Sequence, residues 1–192
     1  MDSGMPEIPE KTTSEDGSIE WRLNGVRHRE DGPAIEQVDG SKVWFLGGKQ
    51  HRTDGPAVEH FDGTKEWWLN GVLHREDGPA IVESNGTLEW HKQGVYHRED
   101  GPAVVRDDGG KQWWVNGIRH REDGPAVIEE NELSQWWLNG ALHREDGPAI
   151  EYADGTNEWY LLGIQVSEEI AIDRVQRESF FQEHLKSETE GN

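Results

Sequence analysis

His74-Arg75-Glu76-Asp77-Gly78-Pro79-Ala80 is one of six copies of His-Arg-x-Asp-Gly-Pro-Ala in this chain, which begin at His28, His51, His74, His97, His120 and His143. Each copy starts 23 residues after the one before, and a tryptophan stands seven positions ahead of every copy: Trp21, Trp44, Trp67, Trp90, Trp113 and Trp136. Trp159 keeps the period without a following His-Arg. Self-similarity at a fixed period of this length marks a repeat array, in which each unit buries its apolar face against its neighbours. A catalytic constellation needs one asymmetric pocket, whereas six equivalent copies make a surface. No catalytic residue is expected.

The unit from Ala57 to Gly78 reads as a meander of hairpins. Ala57-Val58-Glu59-His60-Phe61 is a short strand pattern ended by the turn pair Asp62-Gly63, which tolerates the positive φ of a tight turn. Lys65-Glu66-Trp67-Trp68-Leu69 is a second strand with β-preferring aromatics at its centre. Asn70-Gly71 is the preferred type I′ pair, and Val72-Leu73-His74 begins a third extended piece. Pro79 lacks an N–H for a ladder and belongs at a strand start or edge.

Alternation along a strand predicts which residues face inward. The core is expected from three sets: the in-register tryptophans; Leu23, Leu46, Leu69, Val115, Leu138 and Leu161 two places on; and Ile35, Val58, Ile81, Val104, Val127 and Ile150 after each Gly-Pro-Ala. Lys92 breaks the second set. The intervening position holds Arg22, Phe45, Trp68, His91, Trp114, Trp137 and Tyr160. Five of these seven are aromatic rings other than imidazole, so the position forms a candidate exposed aromatic row, the kind of patch that marks interaction sites. The alternative is that the His-Arg-x-Asp-Gly-Pro loops fold over and cover it.

The run from Trp68 through Asn70-Gly71 to His74, with its 23-residue return, resembles MORN repeats, and among them the variant MORN-like units of bacterial and phage proteins. The similarity covers residues 17–163. It implies an all-β repeat fold, an open single-layer β-hairpin solenoid without catalytic residues, used as a scaffold or binding surface. MORN units continue Gly-x-Gly after the histidine, whereas here His74 is followed by Arg-Glu-Asp-Gly-Pro-Ala, which delays the next hairpin turn at Asn85-Gly86.

Hydrophobic residues make up 32% of the chain and the mean hydropathy is −0.92, too low for a thick globular core but enough for a thin array. Such polarity also suits disorder, which ten tryptophans, seven of them in register, argue against. Nothing is long or apolar enough to span a bilayer, and Met1 to Asp16 lacks the basic-then-apolar plan of a signal peptide. With no cysteine there is no disulfide framework, which is compatible with a cytoplasmic location, the one expected here.

The net charge of −20 repels nucleic acid and anionic membrane, so direct contact with either is not expected. Residues 1–16 hold five acids and one lysine (−4), residues 17–163 hold 27 acids and 15 bases (−12), and residues 164–192 hold seven acids and three bases (−4). The acidity therefore belongs mainly to the repeats. It either keeps an aromatic-rich protein soluble or attracts a basic partner.

The six His/Asp pairs suggest a metal or catalytic site, but metals gather three or four ligands at one point. One histidine per repeat, with repeats about two strand spacings or ~9.6 Å apart, cannot share an ion. No metal or other cofactor is expected. The motif reads instead as a turn lock, with imidazole bonded to backbone or Asp, and Arg75 and Asp77 types pairing along the array.

The ends change character. Residues 1–16 read as a flexible acidic arm. In residues 164–192, Ser167 is an N-cap candidate and no Gly or Pro intervenes up to Lys186. Ile170, Ala171, Val175, Phe181 and Leu185 fall on one side at helical spacing. A C-terminal α-helix that caps the open β edge is expected. Phe180, off that stripe, would serve a partner or a helix-mediated dimer.

Three functions follow as expectations. The first is a non-catalytic module that binds a protein with a basic surface and inhibits or tethers it, as in a phage anti-defence or antitoxin-like role. Its contact residues would be the row Phe45, Trp68, Trp114, Trp137 and Tyr160, with the loop acids Glu76, Glu99, Glu122 and Glu145. The second is a nucleic-acid mimic that occludes a DNA- or RNA-binding enzyme, although ~0.2 charges per Å falls short of the ~0.6 of duplex DNA. The third is a glycan or small-ligand binder that stacks on Trp68, Trp114 and Trp137.

Overall fold

A computed structural model describes residues 8–189, with side chains to residue 184. The chain forms two compact units, one ending at His97 and the other beginning at Arg98. In the first unit an antiparallel sheet runs in the order Glu10–Thr13, Ile19–Leu23, Ile35–Glu36, Lys42–Val43, Val58–Glu59, Lys65–Glu66, Ile81–Val82 and Leu88–Glu89. In the second the order is Val104–Val105, Lys111–Gln112, Val127–Ile128, Ser134–Gln135, Ile150–Glu151, Asn157–Leu161 and Ile164–Val166. Each is a β-hairpin solenoid, and the second ends in helix, as the repeats predict.

One repeat makes two hairpins. The first pairs Val58–Glu59 with Lys65–Glu66 in the long sheet, with Glu59 opposite Lys65. Its turn is not the two-residue type expected. Gly63 N–H donates to the His60 carbonyl, only Gly63 has positive φ (95°), and the His60 N–H returns to the Thr64 carbonyl. That is a three-residue loop with glycine at its left-handed position. Asp62 sets it by accepting from the Thr64 N–H at 2.8 Å. The second hairpin pairs Trp68–Leu69 with Val72–Leu73 across Asn70 (φ 54°) and Gly71 (φ 84°), the type I′ turn that the Asn-Gly pair predicts.

Trp67 is the corner between the two hairpins, so the expected five-residue strand is broken there. Its N–H donates to the Ala80 carbonyl in the long sheet, and its carbonyl accepts from His74 N–H in the second hairpin. Successive second hairpins are also joined: Gly71 N–H reaches the Gln50 carbonyl and Arg52 N–H the Trp68 carbonyl.

The core differs from the expected one. The fully buried in-register residue is the alanine of Gly-Pro-Ala: Ala34, Ala57, Ala80, Ala103, Ala126 and Ala149 are all 0% exposed. Val58, Val104, Val127 and Ile150 join them, whereas the seven tryptophans are half-buried. Among the residues two places on, Leu161 is buried, most are half-buried, and Leu46 is exposed.

Both chain ends differ from expectation. Within the expected loose arm, Glu10–Thr13 pairs with Ile19–Leu23, from Glu10 opposite Arg22 to Thr13 opposite Ile19. Residues 1–7 of that arm lie outside the described residues. The C-terminal helix is two helices, Glu168–Ile172 and Arg174–Thr189. Ser167 caps the first as expected, its hydroxyl accepting from Ile170 N–H at 3.4 Å. Asp173 ends the first helix and caps the second, accepting from Gln176 N–H at 2.8 Å. The break resets the helical phase. Ala171 stays buried, Val175 is 72% exposed, and Phe180 is 8% exposed, so Phe180 belongs to the cap and not to a partner surface. Leu185 has no described side chain. No helix among the described residues is long and apolar enough to cross a membrane.

Candidate interaction surface

Each repeated residue of the heptapeptide has a structural task. Histidine Nδ1 accepts from a backbone N–H 19 residues later, in the next type I′ turn: Gly47 to His28 at 3.0 Å, Gln93 to His74 at 3.1 Å, Leu162 to His143 at 3.2 Å. The neutral ring is therefore held with its proton on Nε2, which faces the following glutamate, as in His74 to Glu76 at 3.1 Å. Arginine lies flat on the tryptophan of its own repeat, with the Arg75 guanidinium 4.0 Å from the Trp67 ring centroid. Its Nε donates to Asp77 at 2.8 Å and one Nη to the Pro79 carbonyl at 3.2 Å. Thus Arg and Asp pair within one loop and not along the array. Glycine makes room for this fold, since a Cβ on Gly78 would sit 3.0 Å from Arg75 Cζ.

The lock separates charge. The six arginines turn inward, to about a fifth or a quarter exposed, as in Arg29 at 20% and Arg75 at 24%. The carboxylates stand outward, with Glu30 at 82%, Glu76 at 71%, Asp77 at 83%, Glu122 at 83% and Asp146 at 87%. Each loop aspartate is held below the usual carboxylate range, first by the arginine hydrogen bond and then by its charge. In each unit the loops present an acidic ridge. Glu99 is also exposed on it. Glu145 is half-covered, 51% exposed, because Arg177 of the second helix approaches it at 3.4 Å.

Between consecutive loops lie open grooves floored by an in-register tryptophan and the residue two places on. In the first unit Trp44 and Leu46 floor a groove of 560 Å³, and Trp67 and Leu69 one of 570 Å³. In the second unit Trp113 and Val115 floor one of 530 Å³. None of these grooves includes a member of the aromatic row, because neighbouring residues of a strand point to opposite sides. The row and the loop acids are therefore on different sides of the second hairpin, not adjacent as the heptapeptide spacing suggests.

Phe45, Trp68, Trp114, Trp137 and Tyr160 are half-buried. Their polar edges are engaged by the residue two places earlier. Trp68 Nε1 donates to Glu66 at 2.7 Å, Trp114 Nε1 to Gln112 at 3.1 Å, Trp137 Nε1 to Gln135 at 2.9 Å, and the Tyr160 hydroxyl to Glu158 at 2.7 Å. The pair His91 and Glu89 (3.0 Å) and the pair Arg22 and Glu20 (3.0 Å) extend the rule. This explains why one position accepts Trp, Tyr, His and Arg: each supplies a donor to a Glu or Gln. The signal was present in the sequence as a second in-register column, but only the side-chain geometry shows what it serves.

Burial under the second helix lowers the His143 pKa from its ordinary 6.5, with Arg177 adding to the fall and Glu145 opposing it. The Phe181 ring lies 6.2 Å from that imidazole. No group of three or more metal-ligating side chains is gathered at one point among the described residues. No protein-family model matches the chain, and no curated protein matches it.

Proposed function

We propose that this is a non-catalytic acidic repeat protein that binds a partner with a basic surface and inhibits or tethers it. The observation that carries this reading is the separation of charge in each His-Arg-x-Asp-Gly-Pro loop. Arg29 at 20% exposed and Asp31 at 84% are two residues apart, yet the acid meets solvent far more than the base. A chain with 19 basic residues against 39 acids thereby offers an edge rich in carboxylates, met by Lys92 at Glu76 (3.8 Å) and by Arg177 at Glu145 (3.4 Å). The grooves set an apolar floor beneath that edge, suited to the aliphatic stems of lysine or arginine with their charged heads at the rim. The resemblance to MORN-like repeats supports a scaffold role, and a cytoplasmic place in a phage-infected bacterium fits a chain of this charge without cysteine. The glutamates Glu76, Glu99, Glu122 and Glu145 steer the partner. The row Phe45, Trp68, Trp114, Trp137 and Tyr160 offers anchors on the other side.

The mimic reading is less well supported. Two outward carboxylates per repeat at about 9.6 Å give ~0.2 charges per Å, a third of duplex DNA. The indole N–H groups of Trp68, Trp114 and Trp137 are already bonded within the chain and offer no donor to a sugar hydroxyl.

The test is capture from bacterial lysate with identification by mass spectrometry, followed by surface plasmon resonance on the captured protein. Glu99→Lys with Glu122→Lys should slow association roughly tenfold at low salt and change dissociation little, as steering charges do. An association rate that ignores both the substitutions and the salt would remove the acidic ridge from the interface.

A further inference from the structure

Repeats one and five carry an arginine at the same place on the second hairpin. Arg27 and Arg119 are 92 residues apart (119 − 27), four periods, and each lies opposite the aromatic-row position, Arg27 across from Arg22 and Arg119 across from Trp114. Beyond the residue across the hairpin, their surroundings differ in the charge beside them. Arg27 Nε donates to Glu20 at 2.6 Å. Four periods on, the place of Glu20 is taken by Gln112, which carries no charge and whose oxygen already accepts from Trp114 Nε1. Arg119 Nε is buried without a hydrogen-bond partner, and no salt bridge reaches Arg119 among the described residues.

The guanidinium lies 4.8 Å from the Trp114 ring centroid and 5.2 Å from that of Trp137. With Gly117, Ile118 and Gly140 these three residues line an open cavity of 310 Å³. Gln135, the neighbour of Trp137, is neutral too, so the carboxylate that attends this position in four other repeats (Glu20, Glu66, Glu89 and Glu158) is missing from both repeats that form the cavity. A guanidinium held by indoles, with its Nε–H unmatched, binds carboxylate strongly and in a fixed geometry. The volume suits the head of a small ligand.

We propose that Trp114, Arg119 and Trp137 form a binding site for an organic carboxylate, which supplies to Arg119 the group that Glu20 supplies to Arg27. The carboxylate pairs with the guanidinium from the cavity, and the ligand's apolar body lies against Ile118 and the indoles. This site uses different residues and the opposite charge from the acidic ridge, so either can fail without the other.

Benzoate is the probe, with benzamide as its neutral counterpart, titrated into the full chain. Tryptophan fluorescence and the Nε–H resonance of Arg119 are the readouts. Two substitutions test the site without foreign chemistry: Arg119→Leu copies Leu73 and Leu142, and Gln112→Glu copies Glu20. Benzoate should bind saturably and at least roughly tenfold more tightly than benzamide, since the charge supplies most of the affinity. Arg119→Leu should abolish binding. Gln112→Glu should weaken it roughly tenfold or more, and should move the ligand-free Nε–H resonance in the direction benzoate moves it in the parent. Equal affinity for benzamide, or unchanged benzoate affinity in either variant, overturns the proposal.

Discussion

Val43 stands before Phe45 as Glu66 stands before Trp68, and it is the pair in which neither side chain carries a polar atom. The other six repeats place a donor two residues after a Glu or Gln. The two columns change together because an unmatched donor or acceptor in a half-buried site forfeits its hydration.

Val43→Glu alone should therefore destabilise the first unit by about 1–3 kcal/mol, the cost of an unmatched polar group. Adding Phe45→Trp should recover part of the loss. A double-mutant cycle from urea unfolding should show coupling of about 1 kcal/mol, and additive effects would mean the two columns are independent.

The alanines, not the tryptophans, are the least tolerant positions. Ala80 is 0% exposed and its N–H and carbonyl are both bonded, to Glu89 and Trp67. Ala80→Leu should cost about 1–3 kcal/mol or more through overpacking. Trp67→Ala should fall below the usual ~3–5 kcal/mol for a buried aromatic, because its indole rests on Arg75 and the residue is not fully buried. Thermal melts of the two variants decide the order.

Acid should weaken the second unit. His143 has a folded-state pKa below 6.5, so the unfolded chain takes up this proton more readily. Its contribution is complete above the unfolded value and declines as pH falls through the lower folded value. Protonation also puts a donor on Nδ1, where Leu162 N–H already donates. Denaturant midpoints measured between pH 7.5 and 5 should fall, and His143→Asn, which keeps an acceptor, should flatten that part of the slope.

The cap gives a contrast between two apolar residues of one helix. Phe180→Ala should cost about 3–5 kcal/mol, since the ring is buried and stacked 4.1 Å from His184. Val175→Ser should be within about 0.5 kcal/mol of the parent, because Val175 projects into solvent. Equal losses would mean that the helix packs in the phase of an unbroken 167–186 segment.

Much of this architecture was legible in the 23-residue period. The Asn-Gly turns, the paired hairpins and the Ser167 cap follow from local chemistry that each residue carries with it. The misreadings came from relations a linear pattern does not encode. Trp67 looked like a core residue because strand alternation was extended through a corner. Val175 looked inward because nothing but the Asp173 side chain, bonding the Gln176 N–H, announces the second helix. The aromatic row shows in the sequence, but its partner column at Glu66 and Gln112 carries no linear signal of what it bonds, and Arg119 stands out only beside the Glu20–Arg27 bond.

The imidazole bridge has a kinetic consequence. It joins residues 19 apart, and the hydroxyl contacts that accompany it, such as Phe61 N–H to Ser41 Oγ, join residues 20 apart. Closing such short loops is entropically cheap. With contacts reaching only about a tenth of the chain, the relative contact order is near ~0.1, a value typical of helical bundles and not of β-sandwiches. Stopped-flow refolding should accordingly finish within about milliseconds, and zippering should run from one repeat to the next in steps no longer than the period itself.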